Sequence, residues 1–237
     1  MHHATERSSL PNDSFVAVVL AGGRAERLGR VDKTALVLGG RTLLRESVDA
    51  ASGAEQIVVV GAGNRRDGLS PAHRPLMRRA VFVDEEPAHG GPAPGIAAGL
   101  RAAEAALVAR GSESPAWTLL LSSDLPHAVA AARRLLGMRH ATASHALIAV
   151  DSGGRRQPLL ALYRTPRLAA ALDAVAGRRG LVGAPLHEVV RALDPGRIRL
   201  VGLPDALCSD IDTWEEAAEA GYSLEDATTN GRMPNAR

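Results

Sequence analysis

An α/β protein with a mixed, mostly parallel sheet is predicted by three observations. Short β-branched runs alternate with longer alanine- and leucine-rich stretches along the 237 residues, the rhythm of βαβ units. One pair of strands is joined by the tight turn Asp151-Ser-Gly-Gly154, which makes those two antiparallel neighbours in an otherwise parallel sheet. The composition is that of a globular chain, 46% hydrophobic and 23% charged. Aromatics are only 3%, so the core must rest on Ala, Val and Leu.

The elements follow in order. Phe15–Leu20 is a strand that runs into a glycine-rich loop, and Thr42–Ala51 is the helix after it. Gln56–Val60 is a strand that ends on a second glycine loop. Ala80–Val83 is a short strand closed by Asp84, and Gly95–Ala109 is an alanine-rich helix. Trp117–Leu121 is a buried strand that leads through Asp124 and Pro126 to a helix over Ala128–Leu136. Ala146–Val150 and Gln157–Tyr163 are the two strands of the tight turn. Helices over Pro166–Ala176 and Pro185–Leu193, a strand over Arg197–Val201 and a helix over Trp214–Ala220 complete the chain. Residues 14–221 read as one domain. Residues 1–13 and 222–237 are polar and aperiodic, and are expected as disordered tails.

Composition also limits function. The formal charge is +2, and no basic block is long enough, or interleaved with aromatics, to form a nucleic-acid groove. Arg65-Arg66, Arg78-Arg79 and Arg178-Arg179 read as solvated faces. Cys208 is the single cysteine, which excludes an internal disulfide and a multi-cysteine zinc site. It reads as structural, because no His or Asn context marks a nucleophile. No run approaches the length of a membrane span, and the N-terminus has no apolar signal region, so a cytoplasmic protein is expected.

Three loops at the carboxyl ends of strands carry candidate chemistry. In the first, Leu20–Lys33, paired glycines let backbone N–H groups approach an anion, with Arg24, Arg27, Arg30 and Lys33 behind them. Of 28 basic side chains Lys33 is the only lysine. A compact ammonium fits beside a phosphate held on backbone amides where a planar guanidinium does not. The loop is not a P-loop, since Asp32 stands where glycine would precede the lysine, and an ordinary tight turn remains the alternative. The second loop, Gly61-Ala-Gly63-Asn64-Arg-Arg66, starts like a dinucleotide fingerprint, with Asp84 placed as a ribose acid, but Arg66 replaces the third glycine. In the third, Asp124 ends a buried strand and either holds a divalent cation or caps the following helix. Later, Asp210 and Asp212 are two apart in an extended segment and can converge on one metal, unless Asp212 only caps the helix from Thr213.

Taken together these segments resemble the molybdenum cofactor guanylyltransferases, the MobA-like nucleotidyltransferases. The resemblance lies in Leu20-Ala-Gly-Gly-Arg-Ala-Glu-Arg-Leu-Gly-Arg-Val-Asp-Lys33 with Leu38-Gly-Gly-Arg-Thr-Leu-Leu44, and in Gly90-Gly-Pro-Ala-Pro-Gly-Ile-Ala-Ala-Gly-Leu100. Ser123-Asp-Leu-Pro126, Gly154–Arg164 and Asp210-Ile-Asp-Thr-Trp-Glu-Glu216 follow in the family's order. The resemblance implies a three-layer sandwich like that of nucleotide-diphospho-sugar transferases, and transfer of GMP from GTP to molybdopterin with release of pyrophosphate and use of Mg2+. It places Leu20, Ala21 and Gly22 against the nucleotide, Lys33 at its phosphates, Asp84 on the nucleotide and Asp124 on magnesium, while the loop itself adds Gly23 as a nucleotide-binding candidate and Arg27 as a catalytic one. The family's pattern carries Asn where this chain has Gly61, and Asn64 is the candidate substitute. The closing Asn-x-Asn is here Asp210-Ile-Asp212, which strengthens a metal role for Asp212 and leans toward relatives that use CTP. GTP is favoured, because the first loop lies beside the nucleotide. Pro94 is a further departure, on the acceptor side.

The chemistry suits the residues. In nucleotidyl transfer the attacking phosphate oxygen is already ionised near neutral pH, so no strong base is needed, and neutralising and positioning two polyanions suffices. Arg155, Arg156 and Gln157 are the candidates for gripping the acceptor, which is molybdopterin or another phosphorylated metabolite. Two other readings stay open, an NAD-dependent oxidoreductase built on Gly61–Gly63 and a non-catalytic nucleotide-binding protein. Lys33→Ala is expected to lower turnover by about 10²–10³ without lowering the melting temperature. Lys33→Arg is expected not to restore it, so full activity in the arginine variant contradicts the point-charge role.

Overall fold

The computed structural model of the chain describes residues 13–22, 36–38, 41–61, 80–88, 90–141 and 143–224. In chain order the strands are β1 (Phe15–Leu20), β2 (Leu36–Leu38), β3 (Arg41–Thr42), β4 (Gln56–Val60), β5 (Ala80–Val83), β6 (Trp117–Ser122), β7 (Ala146–Val150), β8 (Arg156–Arg164), β9 (Ile198–Gly202) and β10 (Ser223–Leu224). The helices are α1 (Leu43–Ala50), α2 (Pro92–Val108), α3 (Ala128–Gly137), α4 (Thr165–Arg179), α5 (Leu186–Arg191), α6 (Asp205–Cys208) and α7 (Trp214–Glu219).

Seven strands form one sheet in the order β5-β4-β1-β6-β8-β7-β9. β1 lies at its centre, parallel to β4 and β6. Every residue from Phe15 to Val19 is buried, so both faces of this strand are covered and its apolar run shows no alternation. β8 is antiparallel to both β6 and β7, and β9 is parallel to β7, so β8 alone runs against the rest. The hairpin expected at Asp151–Gly154 is the β7–β8 connection.

Helices cover both faces. Ala17 and Val19 share a core with Leu44 and Val48 of α1 and Ala131 and Leu135 of α3. Val16 and Val18, pointing the other way, share a core with Ile96 of α2, Leu168 of α4 and Val189 of α5. The result is the three-layer sandwich. The step β1–α1–β4 moves toward the β5 edge, whereas α2 carries the chain from β5 back past β1 to β6. Strand order therefore reverses between β1 and β6, and this is where an open α/β sheet presents a crevice at its carboxyl end.

A second, three-stranded sheet, β10-β2-β3, was not expected from the sequence. It closes over a small core of Leu36, Leu43, Ile211, Ala217 and Tyr222. The tail expected from residue 222 is thereby corrected at its start. Tyr222 is buried, and Ser223 and Leu224 pair with Val37 and Leu36. The tyrosine ring finds apolar partners on a strand far away in sequence, which a polar flanking segment does not announce.

α2 also begins earlier than expected, at Pro92 rather than Gly95. Proline at a helix start lacks only an N–H that would be unsatisfied anyway, so Pro92 and Pro94 open the helix rather than bar it. Gly99 brings α2 close to the sheet, since a β-carbon there would fall 2.5 Å from Val18 Cγ1. Gly99→Ala is expected to destabilise by about 1–3 kcal/mol through overpacking. Helix propensity alone favours Ala by about 1 kcal/mol, so the sign of the change in a urea-unfolding midpoint decides which effect wins.

Candidate active site

The carboxyl ends of β1, β4, β5 and β6 meet at the point of strand reversal, tied by main-chain bonds. The Ala21 N–H donates to Val60 O at 2.8 Å, Gly61 N–H to Val83 O at 2.9 Å and Ser123 N–H to Leu20 O at 3.0 Å. The loops after β1 and β4 cross closely. A β-carbon on Gly61 would lie 2.7 Å from Gly22 Cα and 2.9 Å from Gly22 N, and Gly61 has φ of 78°. Gly61 is thus required by backbone packing against Gly22 and by a left-handed conformation. That explains a glycine here without a dinucleotide fingerprint.

Asp124 stands just past β6, and Ser122 Oγ donates to its Oδ1. It does not take the cap position of α3, which belongs to His127. Asp210 and Asp212 flank Ile211, whose side chain is buried in the small core. The Ile211 N–H donates to Asp124 O at 3.0 Å, which joins the two acidic loops main chain to main chain. Carboxylate oxygens of Asp124, Asp210 and Asp212 all lie within 4.8 Å of one another, the one such group of His, Cys, Asp or Glu among the described residues. The cap reading of Asp212 is settled locally. Thr213 caps α7, its Oγ1 accepting from Glu216 N–H at 3.2 Å, while Glu216 Oε2 accepts from the N–H groups of Asp212 (2.7 Å) and Thr213 (2.9 Å). The Asp212 N–H, first among these, holds the Glu216 carboxyl below the usual carboxylate range.

Three converging carboxylates form an all-oxygen donor set suited to a hard divalent cation. Without one they repel, and their fixed backbone holds them together regardless.

On the other side lies the β7–β8 hairpin. Because β8 runs in reverse, its start falls at the same end of the sheet as the carboxyl ends of β1 and β6. Arg155 and Gln157 line an open groove with Asp151, Asp205 and Asp210. Arg156, between them, does not line it. The hairpin is braced by Arg155 N–H donating to Asp151 Oδ1 at 2.8 Å. Asp205, at the start of α6, accepts from Ser152 N–H (2.8 Å) and Ser152 Oγ (2.7 Å). Those bonds, the backbone one first, hold the exposed Asp205 carboxyl below its usual range. Neither Asp205 nor Ser152 stood out in the sequence, since α6 spans only four residues. Cys208 is buried in the core, as expected, and burial followed by the charges of Asp151 and Asp205 pushes its thiol up.

Asp84 is exposed, whereas the next residue, Glu85, is half-buried and lies toward the β1 end. Gly23, Arg27, Lys33 and Asn64 lie outside the described residues. Among those described, no helix is long and apolar enough to cross a membrane.

Known proteins agree with this geometry. Residues 17–195 match the family model of the MobA-like NTP transferase domain. The chain is 36% identical over 154 residues to the molybdenum cofactor guanylyltransferase of Burkholderia lata, covering 64% of this chain and 71% of that one. Molybdopterin-guanine dinucleotide biosynthesis protein A from Archaeoglobus fulgidus superposes with a TM-score of 0.57 at 21% identity, over 86% of this chain and 96% of that one. The 2-C-methyl-D-erythritol 4-phosphate cytidylyltransferase from Thermus thermophilus gives the same TM-score, 0.57, at 22% identity, over 86% and 96%. The two solved structures share the fold, and the family match runs from β1 past α5, taking in Asp124 and the β7–β8 hairpin: the chain belongs to the MobA-like NTP transferase family.

Proposed function

We propose that this protein transfers GMP from GTP to molybdopterin and releases pyrophosphate. The observation that carries the reading is the convergence of Asp124, Asp210 and Asp212 beside Leu20–Gly22 at the strand reversal of a MobA-like chain. The guanylyltransferase name of its Burkholderia relative supports the choice of GTP and molybdopterin.

The main chain of Leu20–Gly22 offers backbone groups to the nucleotide, and Lys33 with Arg27 meets its phosphates. Arg155 and Gln157 grip the acceptor across the groove. A terminal phosphate oxygen of the acceptor attacks the α-phosphorus of GTP as the bond to the β-phosphate bridging oxygen breaks, and pyrophosphate leaves with that electron pair. The attacking oxygen is already ionised, so the site needs no base and works by alignment and charge neutralisation. Asp124, Asp210 and Asp212 fit Mg2+, which when bound offsets the charge of the phosphates. Asp84, exposed just past β5, also contacts the nucleotide.

The Asp210-Ile-Asp212 pattern keeps CTP as the second reading. Pyrophosphate release from each common ribonucleoside triphosphate, with molybdopterin as acceptor, tests both. GTP as the preferred donor is expected, CTP preference moves the protein to the cytidylyl branch, and no release from any of them overturns the reading. Asp124→Asn is expected to lose on the order of 10² or more in magnesium-dependent turnover, and Asp212→Asn less, since the family motif carries Asn there. A magnesium titration of both variants that leaves turnover and metal dependence unchanged removes the metal role.

A further inference from the structure

Among the described residues, Glu85 sends its carboxylate into the glycine crossing beside β1. A β-carbon built on Gly22 falls 3.7 Å from Glu85 Oε1, and one built on Gly95 falls 3.3 Å from Glu85 Oε2. The carboxylate thus lies between the loop that follows β1 and the first turns of α2, in ordinary contact range of Gly22 and in tight range of Gly95. Its neighbours Asp84 and Glu86 are exposed, while Glu85 is half-buried. Among the described residues no hydrogen bond or ion pair reaches it, so a half-buried acceptor stands ready for donors from elsewhere.

We propose that Glu85 sets the base choice of this enzyme by accepting the paired N–H donors of guanine. The proposal rests on the nucleotide lying against Leu20–Gly22. An ionised carboxylate only accepts, through two oxygens. Guanine alone among the common bases presents two adjacent donors on its pairing edge, the N1–H and the 2-amino group. Adenine and cytosine each set a ring-nitrogen acceptor beside their amino donor, which would face a carboxylate oxygen with lone pairs opposed. A site built around a paired acceptor rejects bases that leave it unmatched. On the α2 side the carboxylate, together with the Leu20 side chain, leaves little room for a β-carbon at Gly95, each lying 3.3 Å from where it would stand.

The test is kcat/KM for pyrophosphate release from GTP, ITP and CTP, with melting temperatures, for the wild type, Glu85→Ala and Glu85→Gln. ITP keeps the N1–H and lacks the 2-amino group. The wild type should prefer GTP to ITP by about ten- to a hundredfold. In Glu85→Ala that ratio should fall to within about threefold of unity, because neither base then has its acceptor. Glu85→Gln, of the same shape, should not restore it, since its amide NH2 meets a donor of the base. If both variants keep the wild-type ratio, or lose only melting temperature, Glu85 merely sits near the start of α2 and the proposal fails while nucleotidyl transfer stands. A wild type that uses GTP and ITP equally, or prefers CTP, also overturns it. A wild type that releases pyrophosphate from no nucleotide overturns the proposal together with the reading beneath it.

Discussion

The main-chain bond from the Ile211 N–H to the Asp124 carbonyl holds the candidate site together. It joins the end of β6 to a segment that arrives only after the sheet is complete. Ile211 anchors that segment by burying its side chain beside Leu36, Leu43 and Tyr222, and Asp210 and Asp212 on either side are then brought to Asp124. Two unit charges about 4 Å apart repel by about 1 kcal/mol in water and about 4 kcal/mol at an effective dielectric of 20. Full burial of an isoleucine stabilises by about 1.5–3 kcal/mol. The two magnitudes are comparable, so the frame can hold the carboxylates close, and a bound cation turns their repulsion into attraction.

The rest of the architecture serves the same end of the sheet. The strand reversal between β1 and β6 opens the crevice, and the reversed direction of β8 carries Arg155 and Gln157 to it. The small sheet ties β2, the first described strand after the glycine-rich loop, to β10 beyond α7. The Asp210–Asp212 segment and β2 are therefore braced against one core.

Much of this was legible in the sequence. β1, β4 and β7 have the expected bounds because their apolar runs are covered on both faces, and β5, half-buried at the sheet edge, keeps its bounds too because its short apolar run ends at Asp84. The acidic trio was named, but Asp212 as ligand or as cap was not separable locally. Thr213-x-x-Glu216 carries the capping-box signature in the sequence, and the placed side chains complete it in both directions, which gives the cap to Thr213 rather than Asp212. β2, β3 and β10 have two or three residues each, too few to carry a period, and exist through pairing with distant chain. Gly61 looked like part of a nucleotide fingerprint, whereas its small size answers to Gly22 across the crossing. Of the adjacent acids Asp84 and Glu85, alternation past a strand end says nothing about which one turns inward. The loop geometry decides it.

Asp124 and the Asp210–Asp212 segment are placed so that their carboxylates could hold one divalent cation jointly. Anomalous diffraction from crystals grown with manganese and GTP tests it most directly. A manganese peak is predicted at about 2.1 Å from a carboxylate oxygen of Asp124 and from one of Asp210 or Asp212, adjoining the GTP phosphates. Manganese held by GTP with no contact to these aspartates, or bound elsewhere on the chain, would contradict the account.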